Sequence, residues 1–452
     1  MKVQGALPVA VALCLGTNAC LLPEERESDL YLAQNGHLPD VMTAFQASSQ
    51  AGPGDTGVPI GTGDRFAKGT KAPRGLATEE RDLKTILNPE EVISGLKGLA
   101  NTYSGVKFFT APQKTIEGRT LNGVVIGDGE PRVYIEGGIH ARERGGPDHI
   151  LYFLSDLLNA REKGTGVTYA GKSYTKEQVV TALSAGIVTM PMVNPDGVAY
   201  DQKTGSCWRK SRNRKSAVGE RGIGIDLNRN FDAVWDYKKY FAPNTNPASD
   251  SPFAETFHGT APLSEVETQN IAWLLQQHPN LSWFLDLHSI GGDILYSWGD
   301  DNPQSEDLEQ NFNNAAYDGK RGVIGDNEPR GEKYKEYIEA EDLESQIGAA
   351  TRMSDAMNAA GDVHFAPKEC AGLYASSGGS TDFFLGGYYG RNCGASRIQG
   401  LAIEFGNQSG LSCPFYPTNP QYHSSMRQVA AGLMELLLTA AGKEGEVKTW
   451  KC

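Results

Sequence analysis

After its first twenty residues the chain has no long apolar run, and throughout its length it has no internal repeat, no Cys-x-x-Cys pair and no basic stripe. A bilayer-spanning helix needs about 20 consecutive apolar residues, so stable membrane insertion of the body of the chain is excluded. Without a repeated unit there is nothing for a solenoid or propeller to stack. The missing cysteine pairs remove a knuckle-type structural metal site. Cations are also short: 42 Lys and Arg stand against 55 Asp and Glu, giving a formal net charge of -13 and a pI near 5.2. Nucleic-acid affinity rests on neutralising phosphates, so a general polyanion binder is excluded as well. What remains is ample for a core. At 452 residues and 39% hydrophobic content, the chain can form one large domain or two to three smaller ones, at about 150 residues each.

Lys2, an apolar run from Ala6 to Gly16 and small residues ending at Ala19 outline a secretory signal over residues 1–19. Residues 20–77 are polar and rich in Gly, Pro, Ser and Thr. They lack the apolar side chains that offset ordering entropy, so a disordered leader or propeptide is expected there. A globular pattern begins near Leu83, and the main domain is expected over 78–452. Val92, Ile93, Leu96 and Leu99 recur at helical spacing behind the cap Asn88, which predicts a helix over Pro89–Tyr103. Strands are expected at 121–126, 132–136, 186–190, 283–287 and 401–405, with helices between several of them. This alternation implies an α/β fold: a single domain with a central mixed, mostly parallel sheet flanked by helices. The charged stretch around 300–348 reads as a solvated surface insertion. Seven cysteines are present. Cys14 and Cys20 lie in or beside the signal, and export oxidises most of the others. The expected pairs are Cys393 with Cys413 and Cys207 with Cys370.

The segment Gly138-Ile139-His140-Ala141-Arg142-Glu143 places a histidine and a carboxylate three residues apart, just after the apolar run Val133-Tyr134-Ile135. Gly137 and Gly138 break the strand at its carboxyl end, where α/β enzymes hold their sites. An open catalytic zinc site takes three protein ligands and keeps one position for water. The third belongs at the end of another strand, and Trp283-Phe284-Leu285-Asp286-Leu287-His288 offers His288 in that setting.

Six segments in order then carry a resemblance to a known family: GIHARE at His140, CWRKSR at Arg209, GIDLNRNFD at Asn228, DLHSIGGDILYSWG at His288, LYASSGGSTDFF at Tyr374 and LAIEFG at Glu404. Over roughly Leu83 to Leu437 the chain resembles zinc metallocarboxypeptidases of the carboxypeptidase A type. The resemblance implies one Zn2+ held by His140, Glu143 and His288, with Asp226 orienting the first histidine. It implies Glu404 as the base that takes a proton from water and returns it to the leaving amine, and Arg209 as the cation facing the developing oxyanion. Arg142, Asn228, Arg229 and Tyr374 match groups that hold a substrate's free carboxylate. Guanidinium groups suit that task because they meet a carboxylate through two parallel hydrogen bonds.

By the same register Thr381 sits at the base of the side-chain pocket, with Leu295, Gly299, Ser376, Gly379 and Ala402 along its walls. No acidic residue stands at the base, so apolar or aromatic C-terminal residues are the expected substrates over basic ones. The expected activity is that of a secreted monomer acting on peptide or protein C-termini, with neither nucleic acid nor membrane as partner. Two alternatives share the fold: a metal-dependent amidase acting on cell-wall muropeptides or N-acyl amino acids, and a non-catalytic binding protein. Arg144-Gly145-Gly146-Pro147 departs from the bulky residues expected after the zinc motif. No folded inhibitory prodomain is expected, which argues against latency through a blocking domain.

Overall fold

The computed structural model describes residues 21–38, 57–77, 83–127, 129–219, 221–324, 334–442 and 447–452. Short β-branched and aromatic runs build one sheet from β1 (Val106–Lys114), β2 (Thr120–Ile126), β3 (Val133–Gly137), β4 (Ile187–Met190), β5 (Trp283–Ser289), β6 (Asp293–Tyr296), β7 (Ala366–Glu369) and β8 (Gln399–Phe405). They are hydrogen-bonded in the order β1-β2-β4-β3-β5-β8-β6-β7. The run β4-β3-β5-β8 is parallel throughout and β7 is parallel to β6, while β1–β2, β2–β4 and β8–β6 are antiparallel. Every residue of β3, β5 and β8 is buried, as central parallel strands covered on both faces must be.

Helices α1 (Pro23–Asn35), α2 (Pro89–Thr102), α3 (Gly146–Lys163), α4 (Lys176–Ser184), α5 (Pro195–Thr204), α6 (Val266–Gln277), α7 (Ala340–Ala360), α8 (Ser380–Tyr389) and α9 (Asn419–Ala441) surround the sheet. Successive strand residues face opposite sides, and the two cores divide accordingly. Val133, Ile135, Trp283, Leu285, Leu287, Leu401 and Ile403 pack with α2, α3, α4, α7 and α9. Tyr134, Val188 and Phe284 pack with α6 and α8 on the other face. That alternation commits Asp286, His288 and Glu404 to the face of α6 and α8. α2 begins where its cap predicts: Asn88 Oδ1 accepts from the Glu91 amide at 2.9 Å, and the Glu91 carboxylate accepts from the Asn88 amide at 3.2 Å. Such a reciprocal cap contributes about 1 kcal/mol.

Three expectations are corrected. Of the segment expected to be disordered, residues 21–38 and 57–77 are structured, and the former contains α1. Its order comes from docking onto the domain, which composition alone cannot register. The stretch around 300–348 is only partly a surface excursion, since α7 starts at Ala340 and Asp300, Asp301, Arg321 and Glu336 are buried. Arg321 donates to Glu336 at 2.9 Å and lies 3.2 Å from Asp300, so these charges face one another and not solvent. The disulfides join Cys207 to Cys413 and Cys393 to Cys452. The chain end sets the second pair, because residues 448–450 run beside 394–397 through Arg397 N to Lys448 O at 2.7 Å and Trp450 N to Ala395 O at 2.9 Å. Cys370 is a free thiol, half-buried, with its sulfur 3.7 Å from Thr381 Oγ1.

Candidate active site

Three elements converge at the carboxyl ends of the central strands. β3 ends at Gly137, and Gly138 takes φ +67°, a left-handed turn that a side chain would resist. The chain thereby folds back and delivers His140 and Glu143 before α3 begins. β5 carries His288 near its end, and the parallel register of β8 sets Glu404 directly beside it. His140 Nδ1 lies 2.8 Å from Glu143 Oε1, and His288 Nδ1 lies 3.1 Å from both Glu143 Oε2 and His140 Nδ1. Among the described residues these three form the only group of three or more His, Cys, Asp and Glu side chains with ligand atoms converging as a metal requires.

The outer ring nitrogens explain why this is a cation site. His140 Nε2 faces Asp226 Oδ1 at 3.1 Å and His288 Nε2 faces Asp286 Oδ2 at 2.9 Å. Those carboxylates draw each ring proton outward and leave both Nδ1 lone pairs aimed inward. Without a cation between them, the two Nδ1 atoms, 3.1 Å apart beside a carboxylate, need added protons to be satisfied. A divalent cation among two nitrogens and a carboxylate oxygen satisfies all three, and this is the donor set of an open zinc site. Burial alone would raise the Glu143 carboxyl, but His140 and His288 outweigh it and hold the group well below the usual range. Burial likewise opposes ionisation of Asp226, yet Arg209 and His140 keep it an anion, well below the ordinary carboxylate value. Arg209 donates to Asp226 Oδ2 through Nη2 at 2.8 Å and Nε at 3.2 Å, with both side chains fully buried.

A cavity beside these ligands is lined by Asn228, Arg229, His288, Tyr374, Thr381 and Glu404, together with Leu295, Ser376, Gly379 and Ala402. Of the expected wall residues, only Gly299 lies behind the surface, where its carbonyl accepts from the Ser376 amide at 2.7 Å. Asn228 bridges two parts of the site: Nδ2 is 3.4 Å from His288 Nε2, and Oδ1 accepts from the Ser380 amide at 2.8 Å. Arg229 is anchored by Pro247 O at 2.9 Å and lies 5.6 Å from the centre of the Tyr374 ring. Arg142 is not among the cavity-lining residues; its guanidinium is held instead by Glu25 of α1. A larger concavity lined by Arg65, Lys84, Tyr103 and Tyr152 has no His, Cys, Asp or Glu among the described residues that line it, so size alone does not locate the site.

Sequence reading missed four participants. Asp286 had a signal: it precedes His288 by two residues in an apolar strand, which puts both on one face. Cys370 and Leu373 line the cavity because the loop before α8 folds back over it, and nothing local announces that. Glu25 reaches the site from a segment far away in the chain. The departure at Arg144 also finds its reason, since its guanidinium donates to Asp201 Oδ2 at 2.9 Å and lies 3.4 Å from the centre of the Tyr416 ring.

A family model described as zinc carboxypeptidase matches residues 92–409. Mouse carboxypeptidase A4 is 33% identical over 195 residues, covering 42% of this chain and 41% of that protein. Carboxypeptidase B of Astacus astacus is 30% identical over 249 residues, covering 52% of this chain and 74% of that protein. The chain thus spans about half the length, or less, of several curated relatives it matches. Among solved structures, carboxypeptidase A from Helicoverpa armigera superposes with a TM-score of 0.55 at 19% identity, covering 93% of this chain and 87% of that one. Bovine thrombin-activatable fibrinolysis inhibitor superposes with a TM-score of 0.55 at 20% identity, covering 78% and 96%. At such identities the superpositions establish the α/β fold, while the family model covers well over half of the sequence. The chain belongs to the zinc carboxypeptidase family.

Proposed function

We propose that the protein is a secreted zinc-dependent metallocarboxypeptidase that hydrolyses the C-terminal peptide bond of peptides or proteins and releases apolar or aromatic residues. The observation that carries this reading is the cavity in which His288 and Glu404 stand together with Asn228, Arg229 and Tyr374. Hydrolytic groups and carboxylate-recognising groups share one space there, and that combination favours an exopeptidase.

His140, Glu143 and His288 hold the metal, and when bound Zn2+ supplies Lewis acidity for the carbonyl and acidity for water. Glu404, 2% exposed at the end of a strand, receives the proton of the attacking water and passes it to the departing amine. Arg209 places a buried cation near the carbonyl oxygen, where negative charge develops. Asn228 and Arg229 bind the substrate's terminal carboxylate and Tyr374 covers the bound end, while Arg142, matched to the same task by its motif, is paired with Glu25 outside that cavity. Thr381, Leu295 and Ala402 give the side-chain pocket a neutral lining. Two disulfides and a signal-like amino terminus support export. No described helix is long and apolar enough to cross a membrane. The proposed active unit is a monomer.

The test offers an N-blocked dipeptide and its C-terminal amide, each with and without a chelator. Hydrolysis confined to the free acid and abolished by metal removal is expected. Equal turnover of the amide would defeat the carboxylate trap, and activity that survives chelation would defeat the metal. Comparing peptides ending in Phe, Leu, Lys and Glu tests the pocket, where a clear preference for Lys would overturn its neutral assignment.

A further inference from the structure

Asp286 aims the His288 ring, and something must in turn aim Asp286. Its Oδ2 takes both of its hydrogen bonds, from His288 Nε2 at 2.9 Å and from Ser380 Oγ at 3.1 Å. Oδ1 is buried and has no hydrogen-bond partner among the described residues. Apart from the ring that it orients, Asp286 therefore depends on Ser380 alone. Ser380 is 1% exposed, so solvent offers little in its place.

The same residue reaches the other half of the site through its backbone. The Ser380 amide donates to Asn228 Oδ1 at 2.8 Å. A backbone N–H can only donate, so this bond decides which end of the Asn228 side chain is the oxygen. Nδ2 is thereby turned the other way and lies 3.4 Å from His288 Nε2. That ring nitrogen already gives its proton to Asp286 and has nothing to accept with. The Nδ2 hydrogens are left for an oxygen entering the cavity that Asn228 lines.

One residue can hold both groups because α8 begins there. The first amides of a helix have no partner within it, and Ser380 directs its own to Asn228 while its hydroxyl turns to Asp286. Neighbouring packing keeps this helix start in place. A Cβ at Gly400 of β8 would collide with the Thr381 carbonyl oxygen, and one at Gly378 with the Arg229 carbonyl oxygen. Phe231 N donates to Gly378 O at 3.1 Å, and Ser377 Oγ donates to Val234 O at 2.8 Å. The turn into α8 is thus pressed against β8 on one side and bonded to the segment that carries Asn228 and Arg229 on the other.

We propose that Ser380 is a positioning residue for two groups at once: through Asp286 it orients the metal ligand His288, and through its amide it presents Asn228 Nδ2 to the terminal carboxylate of a peptide. The second role rests on the function proposed above and deepens it, whereas the first concerns the metal alone.

The test uses the full-length protein and three substitutions. Ser380→Ala removes the hydroxyl and keeps the amide, and Ser380→Thr keeps both. Ser380→Pro removes both donors at a first helical position, where proline is tolerated; Gly379 before it already has the extended conformation (φ -77°, ψ 153°) that proline demands. Three quantities are measured: zinc affinity against a competing chelator, binding by the zinc-loaded protein of a reduced-amide peptide ending in a free carboxylate or in a carboxamide, and the melting temperature of the apo protein. Ser380→Ala should weaken zinc about tenfold, the low end for an outer-shell partner, and leave the preference for the free acid as it is. Ser380→Thr should recover zinc affinity. Ser380→Pro should weaken zinc similarly and also cut the preference for acid over carboxamide at least about tenfold, because its ring displaces Asn228 Oδ1 and a charge-assisted hydrogen bond is lost. Wild-type zinc affinity in Ser380→Ala overturns the proposal, as does an intact acid preference in Ser380→Pro. Equal loss of both peptides together with a lower apo melt overturns it too, since Ser380 would then serve only the fold. Wild-type protein that binds acid and carboxamide alike sinks the carboxylate trap and with it the role through Asn228, while the zinc measurements decide the role through His288 independently.

Discussion

Asp286→Asn separates the metal site from the fold around it. In the folded protein Asp286 Oδ2 accepts from His288 Nε2 at 2.9 Å and from Ser380 Oγ at 3.1 Å. It therefore fixes the ring proton on the far nitrogen and makes the near one a better donor to a metal. An amide keeps the shape but gives up the charge. Outer-shell partners of this kind are worth about 10–100-fold in metal affinity, or about 1.4–2.7 kcal/mol. Stability without zinc should hardly fall. Buried Glu136 is pushed well above the usual carboxylate range by its burial and by the charge of Asp286, so it is held neutral beside Asp286 and an amide at position 286 leaves it no unpaired charge. The assay pairs zinc competition against a calibrated chelator with thermal melts of apo and zinc-loaded protein. The variant's apo melt should stay within about 1 kcal/mol of wild type. The gap between apo and loaded melts should shrink by the lost binding energy at fixed free zinc. Undiminished zinc affinity would refute the orienting role, and an equally large loss in the apo protein would show that Asp286 serves the fold instead. Asp226→Asn provides the contrast. It takes the carboxylate from buried Arg209 as well as from His140, so the apo protein itself should lose about 3–5 kcal/mol.

Glu404→Gln should bind zinc with wild-type affinity by the same competition assay and lose about 10²–10⁴-fold in kcat; a variant with most of its turnover intact would remove Glu404 as the base. Asp148 and Asp301, pushed up to about 6 and about 7 mainly by burial, keep protons in the folded protein that the unfolded chain releases near 4. The folded state then binds more protons across that interval, so stability should fall as pH rises from about 4 through 7, and the melting temperature should be lower at pH 8 than at pH 5 in chelator. A melting temperature that rises between those pH values contradicts the sign. Mass mapping should recover Cys207–Cys413 and Cys393–Cys452, with Cys370 alkylated only after denaturation, since burial and the neighbouring Asp382 push its thiol up. Arg321→Met should cost about 3–5 kcal/mol by denaturant unfolding, because Asp300 and Glu336 then face each other without it.

Much of the frame was legible in order of residues. The strands containing Val133, Ile187, Trp283 and Leu401 are dense runs of β-branched and aromatic residues, and such runs are central wherever they occur. β1, β6 and β7 went unread because they are short or half-exposed and so carry weak alternation; β1 even holds Pro112. Asn88 announced α2 through local chemistry that needs no tertiary context. The residue set His140, Glu143, His288, Asp226 and Glu404 was readable from motifs, since each lies in a segment whose neighbours are recognisable. Asp286 was within reach by the two-residue period.

By itself the sequence determined which strands are central, which of their faces each side chain takes and which residues are the candidates to hold zinc and to move a proton. All of these follow from periodicity, local conformation and residue type. Tertiary structure alone decided the partners. Cys452 meets Cys393 because the chain end runs along 394–397, and Arg321 lies among Asp300 and Glu336 because the insertion folds inward. Above all, Glu25 reaches Arg142 across more than a hundred residues of sequence. Pairing across such distances depends on where docking surfaces bring charges together, and a polar leader gives no local sign of the surface that orders it.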